Sequence, residues 1–416
     1  MSAVLLSSSR PLRNYFQRLS QIFAVLTAFV LPLSTAALMI FFTATVLCCL
    51  LAGDCYEKYL ILRYNPMALM FILFFALFFF GFSYTSVQWP IAFHTLIKYS
   101  KFLLGFFLFS TFRHEKTANI AFFAFLLAAT LTLLFSFIKF FSHLDLLHRF
   151  VSDSGVFKDH IFTGFLLAFT SYCFAVFAFS IKKSWRYLFI LLFLVAAYNV
   201  LFINLSRSGY VVLFSLLLLL AWQKFSGKGL FAGLLIAVFL CGGLLFLPAN
   251  FKERFNLAHS EIIQYKNGSF DTSVGLRLEF YNNSLKLLKE HPWIGTGTGS
   301  FAQDYLAVAQ DKHFATQNPH NEYLNIAVQF GLLGVVVLLG MFIVHAWTSL
   351  RLQGMRQHFA QAILVSIAVG SLFNSWLMDV TQGCFYVFFT ALLFAGLPYK
   401  SKDNVSGILQ SHDRDQ

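Results

Sequence analysis

The 416-residue sequence predicts an all-α integral membrane protein with about twelve transmembrane helices and one large helical segment outside the cytoplasm. Three observations predict this. Hydrophobic residues make up 58% of the chain and charged residues only 12%, with a mean hydropathy of +0.70, whereas soluble domains are nearer a quarter charged. Apolar runs recur along the chain, many close to the ~20 residues that span a hydrocarbon core. Lysine and arginine collect in alternate loops, as the positive-inside rule requires of a multi-pass protein.

The runs lie near 19–31, 33–52, 66–84, 93–111, 118–141, 160–180, 185–204, 209–224, 229–247, 321–347, 358–377 and 382–398. They divide the chain into an N-terminal bundle of about nine spans (1–247), a polar segment (248–320), C-terminal spans (321–398) and a tail (399–416). Pro32 separates the first two runs, which read either as two short helices or as one kinked helix. The first twenty residues carry Arg10, Arg13 and Arg18, and the next run offers no small-residue cleavage site. They do not read as a signal peptide.

With both termini in the cytoplasm, the cytoplasmic loops hold 17 of the 30 Lys and Arg residues and six acids. The difference, 17 − 6, is +11 of the formal +12. Membrane topology explains the basic charge, and nucleic acid is not needed as a partner. The 55 Phe residues suit a lipid-facing surface. The six cysteines show no CxxC pair, so neither a zinc site nor a disulfide framework is indicated.

Segment 248–320 is too long for a connector and is charge-balanced, with seven basic and seven acidic residues. Its "GLRLEFYNNSLKLLKEHPWIG" places Leu276, Phe280, Leu285, Leu287 and Leu288 at roughly helical spacing, an amphipathic helix ended by Pro292. The following "GTGTGS" (295–300) lacks the strand–turn–helix context of a dinucleotide site, so it reads as a tight turn. A second short helix, "FAQDYLAVAQ", comes next.

The segment closes on "QNPHNEYL". Asn318 reads as an N-cap, Pro319 as the first helical residue, and His320 as a first-turn residue beside Asn321 and Glu322. In a first turn the helix dipole disfavours imidazolium, leaving His320 a neutral base. No second histidine lies four residues on, which argues against zinc. Arg207, in the outer turn "INLSRSGYVV", is unusual on a side otherwise poor in arginine, and Ser206 and Ser208 are placed to cap the next helix. Arg277 opens the amphipathic helix. Lys98, Lys101 and Asp379 are ionisable residues in or near spans, a costly placement that draws attention.

Two arginines and a neutral histidine at one membrane face suggest a chemistry. The arginines would hold a diphosphate while the histidine takes a proton from an incoming hydroxyl.

"SRSG" at 206–209, the helix–"HPWIGTGTGSF" unit and "PHNEYLNIAVQFGLLG", in that order, resemble the bacterial O-antigen ligase/O-antigen polymerase superfamily, and O-antigen ligases most. The resemblance covers most of the chain. It implies a GT-C-type glycosyltransferase of the bacterial inner membrane, with its active site facing the periplasm. It further implies an undecaprenyl-diphosphate-linked glycan donor, a lipid A–core acceptor, surrounding membrane lipids and no metal or other cofactor. By the same resemblance Arg207 and Arg277 bind the diphosphate and His320 is the catalytic base, with Asn321, Glu322 and Ser206 supporting. Alternative readings are a polymerase joining repeat units, a protein O-oligosaccharyltransferase, and a polysaccharide transporter or flippase. In the last, polar residues would line a path through the bilayer.

Overall fold

Proline, asparagine and serine set the helix boundaries in the computed structural model, which describes residues 2–142, 154–182, 184–204, 206–243, 249–267, 271–309 and 316–397. The first helix, α1 (Ser2–Val30), stops short of Pro32, and Ser34 caps α2 (Thr35–Leu51) by accepting a hydrogen bond from Ala37 N at 3.2 Å. Residues 19–52 are therefore two helices. The short α3 (Cys55–Tyr64) bends 112° away from α2. Asn65 caps α4 (Pro66–Phe82), accepting from Met67 N and Ala68 N, with Pro66 in the first helical position. There follow α5 (Trp89–Thr111), α6 (Glu115–Ser142), α7 (His160–Ser180) and α8 (Trp185–Tyr198), the last ending in a π-turn at Asn199–Ile203.

Two spans were expected between 209 and 247, but a single helical run, α9 (Arg207–Gly243), occupies this stretch. "FSGK" at 225–228 contains no proline, and an isolated glycine weakens a helix without ending it. The polar segment is helical as expected, with α10 (Ala249–Lys266), α11 (Ser273–Glu290) and α12 (Phe301–Val308). The chain ends in α13 (Glu322–Ser349), α14 (Gly354–Gly370) and α15 (Val380–Phe394). No strand occurs among the described residues. Among the described residues, six helices are long and apolar enough to cross a membrane, or seven if the bent α2–α3 pair counts as one span. Two shorter apolar helices, α4 and α15, accompany them.

Helix α7 forms the axis of the bundle: 94% of its most apolar window is buried, against 22% for α8. Phenylalanine fills this interior as well as the rim, more than the lipid-facing expectation allowed. Phe71, Phe74, Phe78, Phe102 and Phe109 are wholly buried, whereas Phe79 and Phe141 are exposed. Edge-to-face rings tie the axis together: Phe165 meets Trp376 at 4.8 Å and Phe385 at 4.9 Å between centroids. Such pairs each add about 1 kcal/mol beyond burial.

The long helix α13 is broken at Gly331, whose φ of 59° lies in the left-handed region. The glycine-rich turn is wedged into this break. Thr296 N donates to Val328 O, Gly297 N to Gln329 O, and Gly299 N to Gln329 Oε1 at 2.7 Å. Thr298 N donates to Gly81 O at the end of α4. A Cβ on Gly331 would stand 2.4 Å from the Trp293 carbonyl carbon, and one on Gly297 would stand 2.5 Å from Thr85 Cα. Neither separation is compatible with a side chain, so glycine here permits backbone-to-backbone contact.

Candidate functional site: a histidine beside a buried arginine

Helix α11 builds one wall of the site from a simple register. Thr272 caps it by accepting from Gly275 N at 3.0 Å. Arg277, Phe280 and Tyr281 then fall at i, i+3 and i+4, on one face. Phe280 stacks on the His320 imidazole at 5.9 Å with a 24° interplanar angle. The Tyr281 hydroxyl donates to His320 O at 3.3 Å and to Leu372 O at 2.8 Å, clamping two loops.

His320 sits in a loop where a first helical turn was expected. Its φ is 51°, the left-handed region that residues other than glycine seldom adopt. Asn318 does not cap the helix, because its side-chain oxygen instead accepts from His320 N at 2.9 Å and from Ser375 Oγ at 3.1 Å. The cap is Asn321, which accepts from Leu324 N at 3.1 Å, and α13 begins at Glu322. Pro319 accordingly lies in the loop and not at the first helical position. The neutral imidazole therefore needs a cause other than the helix dipole. Burial, chiefly, lowers the His320 pKa from its ordinary value; the Arg277 charge lowers it further, and the Asn374 hydrogen bond opposes both.

The tautomer follows from the neighbours. Asn374 Oδ1 accepts from Ser375 N at 3.0 Å, which fixes it as the oxygen, and it lies 3.0 Å from His320 Nδ1. Nδ1 must then carry the proton and donate. That leaves the Nε2 lone pair without a hydrogen-bond partner among the described residues.

Glu322 is fully buried and its carboxylate is saturated. Oε1 accepts from Tyr99 Oη at 2.6 Å, and Oε2 from Leu377 N at 3.1 Å and Met378 N at 3.2 Å. Its backbone N donates to Ser371 O, and Asn321 Nδ2 donates to Leu372 O. Both residues thus hold the 371–379 loop that presents Asn374. Lys101, buried in α5, serves the same loop by donating to Met378 O at 2.9 Å and Asp379 O at 2.6 Å. Asp379 precedes α15, and its carboxylate faces Asn374 Nδ2 at 3.5 Å.

Ser206 caps α9 as expected, accepting from Gly209 N at 3.2 Å and sharing a hydrogen bond with Ser208 Oγ. Arg207 is the first residue of that helix. Its guanidinium lies 3.5 Å from Glu261 on α10, with the arginine side chain 37% exposed and the glutamate 8%. Glu261 also accepts from Val274 N at the start of α11, so one carboxylate joins α9, α10 and α11. Arg277 has no hydrogen bond or ion pair with any described residue. Burial first, then the adjacent Arg207 charge, lower its pKa from the usual guanidinium value, and Tyr281 and Glu261 oppose them. Arg277 therefore lies within electrostatic range of both His320 and Arg207.

Asn374, Glu261 and Phe280 were not among the functional candidates that the sequence offered. A scan for polar residues inside apolar runs would have marked Asn374 and Ser375, which fall within the run predicted at 358–377. The glycine-rich turn contributes nothing to anion binding, because the N–H groups of Thr296 to Gly299 are all spent on protein acceptors. Among the described residues, no cluster of three or more His, Cys, Asp or Glu side chains is arranged to hold a metal ion.

Residues 191–339 match a protein-family model described as O-antigen ligase. The matched stretch includes Arg207, Glu261, Arg277 and His320, but not the 371–379 loop. An uncharacterised protein of Haemophilus influenzae is 27% identical over 145 residues, covering 32% of this chain and 36% of that protein. The chain thus spans little more than a third of that curated relative's length.

Proposed function

We propose that the protein transfers a preassembled glycan from undecaprenyl diphosphate to a sugar hydroxyl of lipid A–core, at the periplasmic face of the bacterial inner membrane. The observation that carries this reading is the bare Nε2 of His320 near Arg277, which has no ion-pair partner among the described residues and has Arg207 on its other side. The match to the O-antigen ligase family model supports glycan transfer of the ligase or polymerase type.

In this mechanism Nε2 takes the proton of the acceptor hydroxyl as its oxygen attacks the anomeric carbon. The bond from that carbon to the diphosphate oxygen breaks, and undecaprenyl diphosphate departs with the electron pair. Attack opposite the leaving group inverts the anomeric centre, through a transition state of oxocarbenium character. Arg277 and Arg207 stabilise the charge developing on the diphosphate. Asn374 keeps the proton on Nδ1, so the imidazole meets the acceptor with its lone pair.

The test is transfer by purified protein in detergent, with a lipid-linked donor and lipid A–core. A core carrying the whole glycan is the expected product. Joined repeat units still on the lipid would make the protein a polymerase. No transfer in detergent, with glycan movement across sealed vesicles, would overturn the enzymatic reading in favour of a transporter. Deletion in the native bacterium gives the same discrimination: rough lipopolysaccharide with free polymer marks a ligase, and a core bearing one repeat marks a polymerase.

A further inference from the structure

The far end of α1 carries a second feature, unrelated to the histidine. A groove of about 520 Å³ runs between α1 and α6, lined by Arg18, Gln21, Ile22, Val25 and Leu26 on one side and by Lys116, Thr117 and Ile120 on the other. Its volume falls within the range of specific small-molecule sites, roughly 300–1,000 Å³. One end is cationic and polar; the rest is aliphatic, with Ile22 55% and Ile120 46% exposed.

Charge accounting distinguishes this end from an ordinary basic rim. Each acid nearby already has a basic partner. Arg13 pairs with Asp54 at 3.1 Å, Arg113 with Glu57 at 3.1 Å, and Arg356 with Glu115, the residue next to Lys116, at 3.0 Å. Arg356 also donates to Asn119, one turn further along α6. Arg18 and Lys116 have no ion pair with any described residue. Two cations thus remain uncompensated at the mouth of an apolar groove. Lys116 and Thr117 also lie in the first turn of α6, where the helix dipole favours an anion.

We infer that this groove binds one anionic phospholipid. The phosphate sits on Arg18 and Lys116, and Gln21 and Thr117 supply hydrogen bonds to the headgroup. An acyl chain lies along Ile22, Val25, Leu26 and Ile120. Juxtamembrane basic residues attract acidic lipid headgroups in this way, and the aliphatic wall separates a whole lipid from a free phosphate ester.

Native mass spectrometry of the full chain tests the site, with phosphatidylglycerol, phosphatidylethanolamine and glycerol 3-phosphate as probes. Phosphatidylglycerol should be retained at least about tenfold better than phosphatidylethanolamine, and glycerol 3-phosphate should not displace it at equal concentration. The double variant Arg18→Gln/Lys116→Gln should erase the headgroup preference, and both positions are exposed, so folding should survive. Ile120→Trp keeps both charges while narrowing the groove, and it should reduce phosphatidylglycerol retention by itself. Equal retention of the two lipids by the unaltered protein would overturn the inference, as would an undiminished preference in the double variant. Full displacement by glycerol 3-phosphate would also overturn it, reducing the site to a surface phosphate contact.

Discussion

Two polar stretches fall within 28 residues, "GTGTGS" at 295–300 and "PHNE" at 319–322, and they have opposite fates. The first resembles a phosphate cradle but spends its N–H groups on the broken helix α13 and on Gly81. The second resembles an ordinary helix start but holds His320 outside the helix with one ring nitrogen bare. The difference lies in what each stretch packs against. Glycines let the first approach backbone directly, which consumes its donors. The second is held by side chains of α11 and of the 371–379 loop, which fix the ring and leave its Nε2 open.

Four experiments test that contrast. The largest effect should come from His320→Ala, lowering transfer by about a thousandfold, the usual worth of a general base, while the protein still reaches the membrane. Near-normal turnover by the purified variant would remove the histidine from the chemistry.

Gly331→Ala should act on folding and not on a chemical step. The left-handed backbone and the 2.4 Å approach of the new Cβ to Trp293 together predict a loss of about 3 kcal/mol or more. A fall in melting temperature in detergent would report it. An unchanged melting temperature would mean that the helix break relaxes more readily than this packing implies.

Arg277→Lys and Arg207→Lys should each cost roughly 10- to 100-fold in kcat/KM, because a point charge loses the bidentate fork offered to a diphosphate. Arg277 should matter more, since Glu261 already offsets Arg207. Equal kcat/KM for the Arg277 variant and the parent protein would sever the arginine from the donor.

The smallest change is a shift in pH profile. Neutral imidazole is the active form, and burial with the Arg277 charge favours it. The acid limb of activity should therefore have its midpoint below the ~6.5 of free imidazole. Asn374→Asp would set a carboxylate beside Nδ1–H, favour imidazolium and move the limb upward by on the order of one pH unit. Asn374→Ala should lower kcat with little movement of the limb in that direction. An identical limb in Asn374→Asp and the parent protein would show that Asn374 does not set the protonation of the ring.

Much was legible in the sequence because membranes impose simple rules. A chain in hydrocarbon must satisfy its own backbone, so apolar runs become helices. The amphipathic pattern of 273–290 and the Ser206 cap were readable for the same reason, since both are local. Arg207, Arg277 and His320 could be singled out by their motifs, and the fold sets Arg277 within electrostatic range of both others.

What the sequence could not decide depended on distant partners. Asn318 and Asn321 are equally good caps by composition. The Ser375 hydroxyl, brought in from 57 residues away, joins the His320 N–H in holding Asn318 in the loop and leaves the cap to Asn321. The protonated nitrogen of His320 is settled by Asn374, 54 residues away, and the 371–379 loop is held in turn by Glu322 and Lys101. Periodicity and capping are properties of neighbours along the chain, so most of the helices and the candidate residues could be read along it. The lone pair on Nε2 and the uncompensated charge of Arg277 are properties of neighbours in space. Only the tertiary packing of α11 and the 371–379 loop against His320 decided them.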